Sequence, residues 1–313
     1  MRRLLRKIFL VTALQMTDIR LFGCAISLGL LLFAGAGAVF AQAVQITDDR
    51  GETIRLAQPA RRIITLTPHL TELVFAAGAG GRLAGVAHFS NYPDAARLLP
   101  VVSDAAQFDT EALLALKPDL VLAWKNGTPA AVVIRMESVG LPVFVLESVR
   151  LEDVARGIDA IATLAGTRKE GARARDAYNT GLRDLRARHY SGAPVRVFYE
   201  IWPEPLMTVN DMHIISDVIK LCGGVNIFGT LRPLTPEVSR EALLAARPEV
   251  ALGGSSAETA AGFSARWAGL PLPLGRIPVQ HIAPDLIQRP TPRLLEGARL
   301  VCAHLDAVRA TRR

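Results

Sequence analysis

Two tryptophans stand where a flat ligand could stack against the protein. Trp124 closes the apolar run DLVLAW and precedes a polar turn at 125–127, and Trp202 follows the apolar run VRVFYE. An aromatic ring at the end of a strand offers a broad apolar face to a planar ligand. The alternative for each is a ring that packs beneath a loop and closes the end of a sheet.

Residues at other predicted strand ends could also contact such a ligand. Pro68 and His69 follow the short run RIITL, and His88 follows another predicted strand. A histidine at either place could bind an iron or cobalt centre, although a polar loop residue is the alternative. Asp285 and Arg289 lie four residues apart among prolines, which predicts a loop and a ligand contact in place of a surface pair on a helix.

One fourteen-residue unit occurs twice in the chain. TEALLALKPDLVLA at 110–123 and REALLAARPEVALG at 240–253 share seven of fourteen residues, with Glu111 and Glu241 at equivalent places. Each copy predicts a short capped helix that ends at a proline and leads into a strand. The helix dipole by itself favours a glutamate in the first turn, by about 0.3–1 kcal/mol. The repetition indicates a duplicated structural unit.

The elements around these residues alternate between strands and helices. Short β-branched runs, glycine-terminated helices such as LTELVFAAG and proline-led strands such as LPVFVL and IPVQHI follow one another in the same order before and after a central segment. This alternation predicts mostly parallel sheets covered by helices. Ligands of open α/β sheets bind beyond the carboxyl ends of the strands, so two facing lobes would form a cleft there.

The central segment, residues 151–190, predicts helix almost throughout. Apolar residues recur at steps of three and four, with one break at Gly166. The sequence therefore predicts an N-terminal α/β lobe at 44–150 and a C-terminal α/β lobe at 191–313, joined by a long connecting helix. A stiff connector of this kind predicts small movements of the lobes.

Residues 1–43 predict a secretory signal peptide. Several arginines precede a nearly unbroken apolar run, Leu21–Phe40, which leads to the small residues Ala41 and Ala43 of an A-x-A cleavage site. An uncleaved membrane anchor is the alternative, because about 20 apolar residues can span a bilayer. This segment carries most of the net charge of +7. The near-balanced remainder of the chain predicts no nucleic-acid binding.

Two cysteines, Cys222 and Cys302, lie beyond the predicted signal peptide. An even number of cysteines in an oxidising compartment predicts a disulfide bond. Two buried free thiols are the alternative.

Common enzyme signatures are missing from the sequence. It contains no H-E-x-x-H, G-x-S-x-G or G-x-x-x-x-G-K motif. We therefore expect ligand binding without catalysis, cofactor or resident metal. An exported enzyme with a dispersed catalytic site is the alternative.

Six stretches together carry a resemblance to a known family: RIITLTPHLTELVFAAG, HFSNYP, LLALKPDLVLAWKNG, LCGGVNIF, PEVSREALLA and QRPTPRLLEGA. Over about residues 61–310 the chain resembles the helical-backbone periplasmic binding proteins of ABC importers. That family takes up cobalamin, haem, siderophores and some metal ions, and the stretches are most similar to its cobalamin-binding members.

The resemblance implies roles for several residues. Phe89 and Trp124 would line the ligand cleft, and Asp285 and Arg289 would reach the amide groups of a corrin ring. Three cleft aromatics of the cobalamin-binding members are replaced: by Ala105 or a neighbour, by a residue near Thr235, and by Ile201. The adjacent Trp202 is a substitute for the last of these.

The resemblance also implies how the chain is linked and what it docks to. A disulfide would join Cys222 to Cys302. One glutamate on each lobe, Glu111 and Glu241, would meet arginines on the two subunits of a membrane-embedded ABC permease. We expect a monomeric periplasmic receptor for a corrinoid or another metal chelate, with haem or an iron–siderophore complex as the alternative.

Overall fold

The computed structural model describes residues 43–103, 108–189, 194–255 and 257–312. The predicted signal peptide lies outside these residues except for Ala43, and so does Ala105. In the described part of the chain, no helix combines the length and the apolar character needed to cross a bilayer.

The N-terminal lobe contains a hairpin and a five-stranded parallel sheet. In the hairpin, β1 (Val44–Thr47) pairs antiparallel with β2 (Thr53–Leu56). The sheet strands are β3 (Ile63–Thr65), β4 (Leu83–Ala87), β5 (Val101–Ser103), β6 (Leu120–Trp124) and β7 (Val143–Leu146). They lie in the order β5-β4-β3-β6-β7, and every neighbouring pair is parallel.

Three helices cover this sheet, and local signals set their ends. They are α1 (Pro68–Ala76), α2 (Thr110–Ala115) and α3 (Ala130–Ser138). Pro68 stands at the first position of α1, where its missing N–H is no loss. The Asp109 carboxylate caps α2 by accepting the Ala112 N–H at 2.9 Å.

Two antiparallel helices connect the lobes, α4 (Leu151–Ala165) and α5 (Arg168–His189). Gly166 ends α4 in the left-handed conformation, with φ of 67°, which a glycine adopts without steric cost. The Tyr178 hydroxyl donates to the Leu151 carbonyl at 2.9 Å, so α5 folds back along α4. At 22 residues α5 is about 33 Å long, and it is the predicted long connecting helix.

The C-terminal lobe repeats this plan with four parallel strands. They are β8 (Val195–Glu200), β9 (Gly224–Asn226), β10 (Val250–Gly253) and β11 (Val279–His281), in the order β11-β10-β8-β9. Its helices are α6 (Ile214–Leu221), α7 (Arg240–Ala246), α8 (Ala260–Ala268), α9 (Pro284–Ile287) and α10 (Leu294–Ala310). The predicted fold class, two α/β lobes with parallel sheets and a long connecting helix, is confirmed.

A single apolar core runs through both lobes and their connection. It includes Ile63 of β3, Val154 of α4, Tyr178 of α5, Val197 of β8 and Val301 of α10, all buried. Separate clusters lie on the outer face of each sheet. Because the lobes share their central core, large relative movements would expose apolar surface to water. The small lobe movements that the sequence predicts stay a prediction.

The disulfide bond between Cys222 and Cys302 is present. It joins the end of α6 to the middle of α10, and both cysteines are fully buried. The predicted pairing is therefore confirmed.

The prediction of a loop around Asp285 is wrong. Pro284 begins a single helical turn, α9, and Asp285 and Arg289 form an ion pair with N and O atoms 2.8 Å apart. Proline favours the first position of a helix as well as breaking its interior, and the sequence signal did not separate these two effects.

Candidate ligand-binding cleft and repeated helices

The N-terminal sheet changes its winding direction between β3 and β6. The carboxyl ends of strands at such a point form the crevice in which α/β folds bind ligands. The chain leaving β3 places Pro68 and His69 there, and β6 ends at Trp124. The rings of His69 and Trp124 meet edge to face, with centroids 5.2 Å apart. The structure thus brings these three predicted site residues together.

A glycine seats the Trp124 ring. A Cβ atom at Gly127 would lie 2.0 Å from the ring, so only glycine lets the indole lie against the following turn. The Thr128 hydroxyl accepts the Trp124 backbone N–H at 3.0 Å and holds the same turn.

The C-terminal sheet has an equivalent point between β8 and β10. Trp202 lies just beyond β8, and about half of the residue, 51 %, is exposed. Its indole N–H donates to the Glu204 carbonyl at 2.8 Å, so the polar edge of the ring is satisfied within its own loop. The exposed face of the ring is left available for contact with a ligand.

A small cavity lies where the two lobes meet. Trp124 and Glu147 line it from the N-terminal lobe, and Met212, His213 and Gln288 line it from the C-terminal lobe. Its volume is about 30 Å³, which is too small for a large organic ligand. A ligand of corrinoid size therefore has to bind outside this cavity.

Phe89 is the most exposed of the predicted ligand contacts, at 63 %. Its backbone is left-handed, with φ of 62°, which is an unfavourable conformation for a residue with a Cβ atom. The neighbouring His88 is also exposed, and its ring centroid lies 4.2 Å from that of Phe89.

Arg289 connects the C-terminal lobe to the N-terminal lobe. Its guanidinium donates to Glu72 Oε1 at 2.8 Å, to Asn91 Oδ1 at 2.7 Å and to the Phe89 carbonyl at 3.1 Å. The Asn91 side-chain amide in turn donates to Asp285 Oδ2 at 2.8 Å. The structure therefore brings together three predicted residues, Phe89, Asp285 and Arg289, with two that the sequence analysis missed.

Glu72 is the more important of the missed residues. Its side chain is only 2 % exposed, and Arg289 and Arg293 both donate to its Oε1 atom. Burial raises the pKa of Glu72, and the two arginines act in the opposite direction. A glutamate in the middle of the apolar helix LTELVFA was the available signal, because a buried carboxylate needs a positively charged partner.

His69 makes the stability of the protein depend on pH. Burial, and secondarily the charge of Arg289, lowers the pKa of His69 from 6.5 to about 3. In the unfolded chain His69 binds a proton near pH 6.5, whereas in the folded protein it stays neutral until the pH approaches 3. The contribution of His69 to the free energy of unfolding is therefore fully present above pH 6.5, and it is lost as the pH falls toward 3.

We expect His69 to lower the free energy of unfolding by about 1 kcal/mol per pH unit between pH 6 and 4. Urea unfolding of the wild type and of His69→Gln at several pH values measures this contribution as a difference in slope. His213, whose pKa burial lowers to about 4, is present in both proteins, so its effect cancels. Equal slopes would contradict a buried, neutral His69.

The two copies of the repeated unit form matching helices, α2 and α7, on the outer faces of the sheets. Leu113 and Leu243 pack into the outer cores, while Glu111 and Glu241 are exposed in the first turns. Hydrogen bonding from its own backbone N–H and from the Ser239 hydroxyl lowers the pKa of Glu241.

The last turns of these helices are held in the same way. The Arg62 side chain donates to the Leu116 carbonyl at 2.8 Å, and the Arg196 side chain donates to the Ala246 carbonyl at 2.5 Å. A left-handed residue with φ of 47° closes each copy: Lys117, two positions beyond α2, and Arg247, directly after α7. Both lobes therefore present an exposed glutamate on a helix anchored by an arginine.

Sequence and structure comparisons place the chain in a family. Residues 63–265 match the family described as periplasmic binding protein, and the chain belongs to that family. It is accordingly a periplasmic protein, and the relatives that it matches are binding proteins. The signal peptide itself stays a prediction.

Particular relatives are similar over most of their length. The vitamin B12-binding protein of Yersinia pestis (strain Pestoides F) is 32 % identical over 252 residues, which cover 80 % of this chain and 89 % of the relative. The solved periplasmic vitamin B12-binding protein BtuF of Vibrio cholerae is 33 % identical, with a TM-score of 0.74, covering 80 % of this chain and 98 % of that one.

A haem-binding protein shares the fold. The periplasmic heme-binding protein HutB of Vibrio cholerae has a TM-score of 0.67 at 21 % identity, covering 78 % of this chain and 98 % of that one.

Proposed function

We propose that this protein captures cobalamin or a related corrinoid in the periplasm and delivers it to an ABC permease. The main observation in support is that each lobe has an aromatic ring at the point where its sheet changes winding direction. Trp124 stands at this point in the N-terminal lobe and Trp202 in the C-terminal lobe. Two aromatic walls suit a wide, flat ligand, and the similarity to vitamin B12-binding proteins favours a corrin ring among such ligands.

Export and docking complete the proposed transport role. Residues 1–43 direct export as a cleaved signal peptide. Glu111 and Glu241, one on each lobe, meet positively charged residues of the permease. Their equivalent helices and anchors support two-point docking, because a permease with two similar subunits would present the same contact twice.

Titration of the purified mature protein tests ligand capture. Cyanocobalamin and cobinamide are expected to quench tryptophan fluorescence in a saturable way. No saturable quenching by either corrinoid would contradict the proposed ligand. Chemical turnover of the bound ligand would contradict a receptor and favour the alternative of an exported enzyme.

The chain offers a matched control for this titration in its third tryptophan. Trp267 is 1 % exposed, and its indole N–H donates to buried Glu200 at 3.0 Å, within the outer core of the C-terminal lobe. We expect Trp124→Ala and Trp202→Ala to weaken corrinoid binding about tenfold each, since each removes a stacking face. Trp267→Phe is expected to leave the affinity unchanged, because that ring does not face the cleft.

Haem is the second candidate ligand, and His88 is the observation that favours it. This exposed histidine lies beside the Phe89 ring, where an imidazole nitrogen could bind a haem iron. Haem binding through His88 would shift the Soret absorption band, and His88→Ala would abolish that shift while leaving corrinoid binding in place.

A further inference from the structure

The residues around Arg289 form a cluster that crosses between the lobes. We call it the cross-lobe cluster: Glu72, Phe89 and Asn91 of the N-terminal lobe, with Asp285, Arg289 and Arg293 of the C-terminal lobe. Glu72 lies on α1 and Arg289 lies 217 positions later in the chain, so the contact between them forms only in the folded protein. The Arg289 side chain is 12 % exposed, so its hydrogen bonds are largely shielded from water.

The Arg289 guanidinium is already occupied by protein atoms. Its Nη1 atom donates to Glu72 and Asn91, and its Nη2 atom donates to the Phe89 carbonyl and pairs with Asp285. A planar guanidinium that serves this many acceptors has a single allowed orientation. Few of its donors are left to reach a ligand.

Hydrogen bonds on both sides of Phe89 hold its backbone in place. Its left-handed conformation is unfavourable, so contacts on both sides have to maintain it. On one side its carbonyl accepts the N–H of Arg289, 3.1 Å away. On the other side the buried hydroxyl of Ser90 lies 2.9 Å from that of Thr71. The Phe89 ring is left exposed between these two anchors.

We propose that Glu72 is a positioning residue for the ligand-binding wall: it fixes Arg289 across the cleft, and Arg289 fixes the backbone of Phe89 so that its ring faces the ligand. Without the Glu72 charge, Arg289 would keep Asp285 as its one remaining carboxylate partner. Asp285 is 30 % exposed, so the guanidinium could follow it toward solvent and release the Phe89 carbonyl. The proposal rests on the proposed corrinoid function for its effect on affinity, but its effect on the loop exists without ligand.

Two measurements on the full mature protein test this role. The first is hydrogen exchange of the unliganded protein at the Ser90 amide, which donates to the Ala87 carbonyl at 3.2 Å. The second is the dissociation constant for cyanocobalamin. We expect Glu72→Gln and Arg289→Gln each to raise the exchange rate about tenfold and to weaken binding about tenfold, because the first removes the carboxylate charge that holds Arg289 and the second removes the guanidinium itself. The double variant is expected to match either single one, since Glu72 acts through Arg289.

Arg293→Gln is the matched control. Arg293 also donates to Glu72, at 3.3 Å, and stacks on the Tyr92 ring, but its contacts do not include the Phe89 carbonyl. The effect of Glu72→Gln should persist in that background. Additive losses in the Glu72 and Arg289 double variant, or unchanged Ser90 exchange in both single variants, would overturn the proposal. If Glu72→Gln does not fold, Arg289→Gln tests the step from Arg289 to the Phe89 backbone, and unchanged Ser90 exchange in that variant would overturn the proposal.

The experiments distinguish a failure of the proposed function from a failure of the positioning role of Glu72. Absence of corrinoid binding by the wild type would overturn the proposed function. The exchange of Ser90 in the unliganded variants would still decide whether Glu72 and Arg289 hold the Phe89 backbone.

Discussion

Replacement of Glu111 and Glu241 by arginine in one protein is expected to abolish ligand import while leaving ligand affinity unchanged. Both acids are exposed in the first turns of short helices, and each helix is packed on its sheet by one buried leucine, Leu113 or Leu243. Charge reversal should therefore leave the fold and the cleft intact. If the permease presents a positively charged residue to each glutamate, the substitutions replace an attraction by a repulsion at both contacts. Uptake should then fall about a hundredfold or more.

The anchored ends of these helices explain why docking there could act on the lobes. Arg62 and Arg196 tie the last carbonyls of the helices to the starts of β3 and β8, the strands that lead to the cleft. A displacement of either glutamate by a docked partner would therefore move the sheet as well, because the arginine connects the helix firmly to the strand. In the proposed docking mode, each lobe would have its own point of contact with the permease.

Uptake of radiolabelled cyanocobalamin by cells that depend on this protein measures the effect. Glu296→Arg is the matched control, because Glu296 is also an exposed acid in the first turn of a helix but lies outside the repeated unit. Its uptake should equal that of the wild type. Loss of cobalamin binding in the double arginine variant would show that the two glutamates belong to the cleft and not to a docking surface.

Loss of the disulfide bond is expected to lower the free energy of unfolding by about 4 kcal/mol. Cys222 and Cys302 are 80 positions apart, and linking them restricts the unfolded chain over that whole length. The bond joins α6 to α10 within the apolar core, so native packing keeps the two sulfur positions close even when the bond is absent. The folded protein should therefore persist with a melting temperature lower by about 10 °C.

Urea unfolding with and without reductant measures this contribution. The predicted mature chain contains no cysteine besides this pair, so a reductant acts on one bond. Cys222→Ala with Cys302→Ala should match the reduced wild type and should not respond to reductant. Identical urea midpoints for the oxidised and reduced wild type would contradict a stabilising role for the bond.

Local signals in the sequence predicted most of the architecture correctly. Glycine at 166 ends one connecting helix, and Asp109 and Ser239 cap the two repeated helices, as their side chains favour. These outcomes depend on residues within a few positions of each other, so the linear sequence carries the information. The repeated unit predicted two equivalent helices for the same reason.

The site was predictable only in part. Trp124 ends a strand, and His69 and Phe89 lie just beyond strand ends. Because parallel strands gather their carboxyl ends at one edge, the placement of these residues follows from the order of elements. The loop prediction around Asp285 was wrong because a proline both opens and interrupts helices.

The sequence by itself determined the two-lobed α/β fold, the disulfide pairing and the equivalence of Glu111 and Glu241. Only the tertiary structure decided that Glu72, on one lobe, would hold Arg289 on the other. The physical reason is that these residues are far apart in the chain, and a charge on an apolar helix does not indicate which distant cation will neutralise it. That choice is made when the lobes close on their common core and exclude water from the pair.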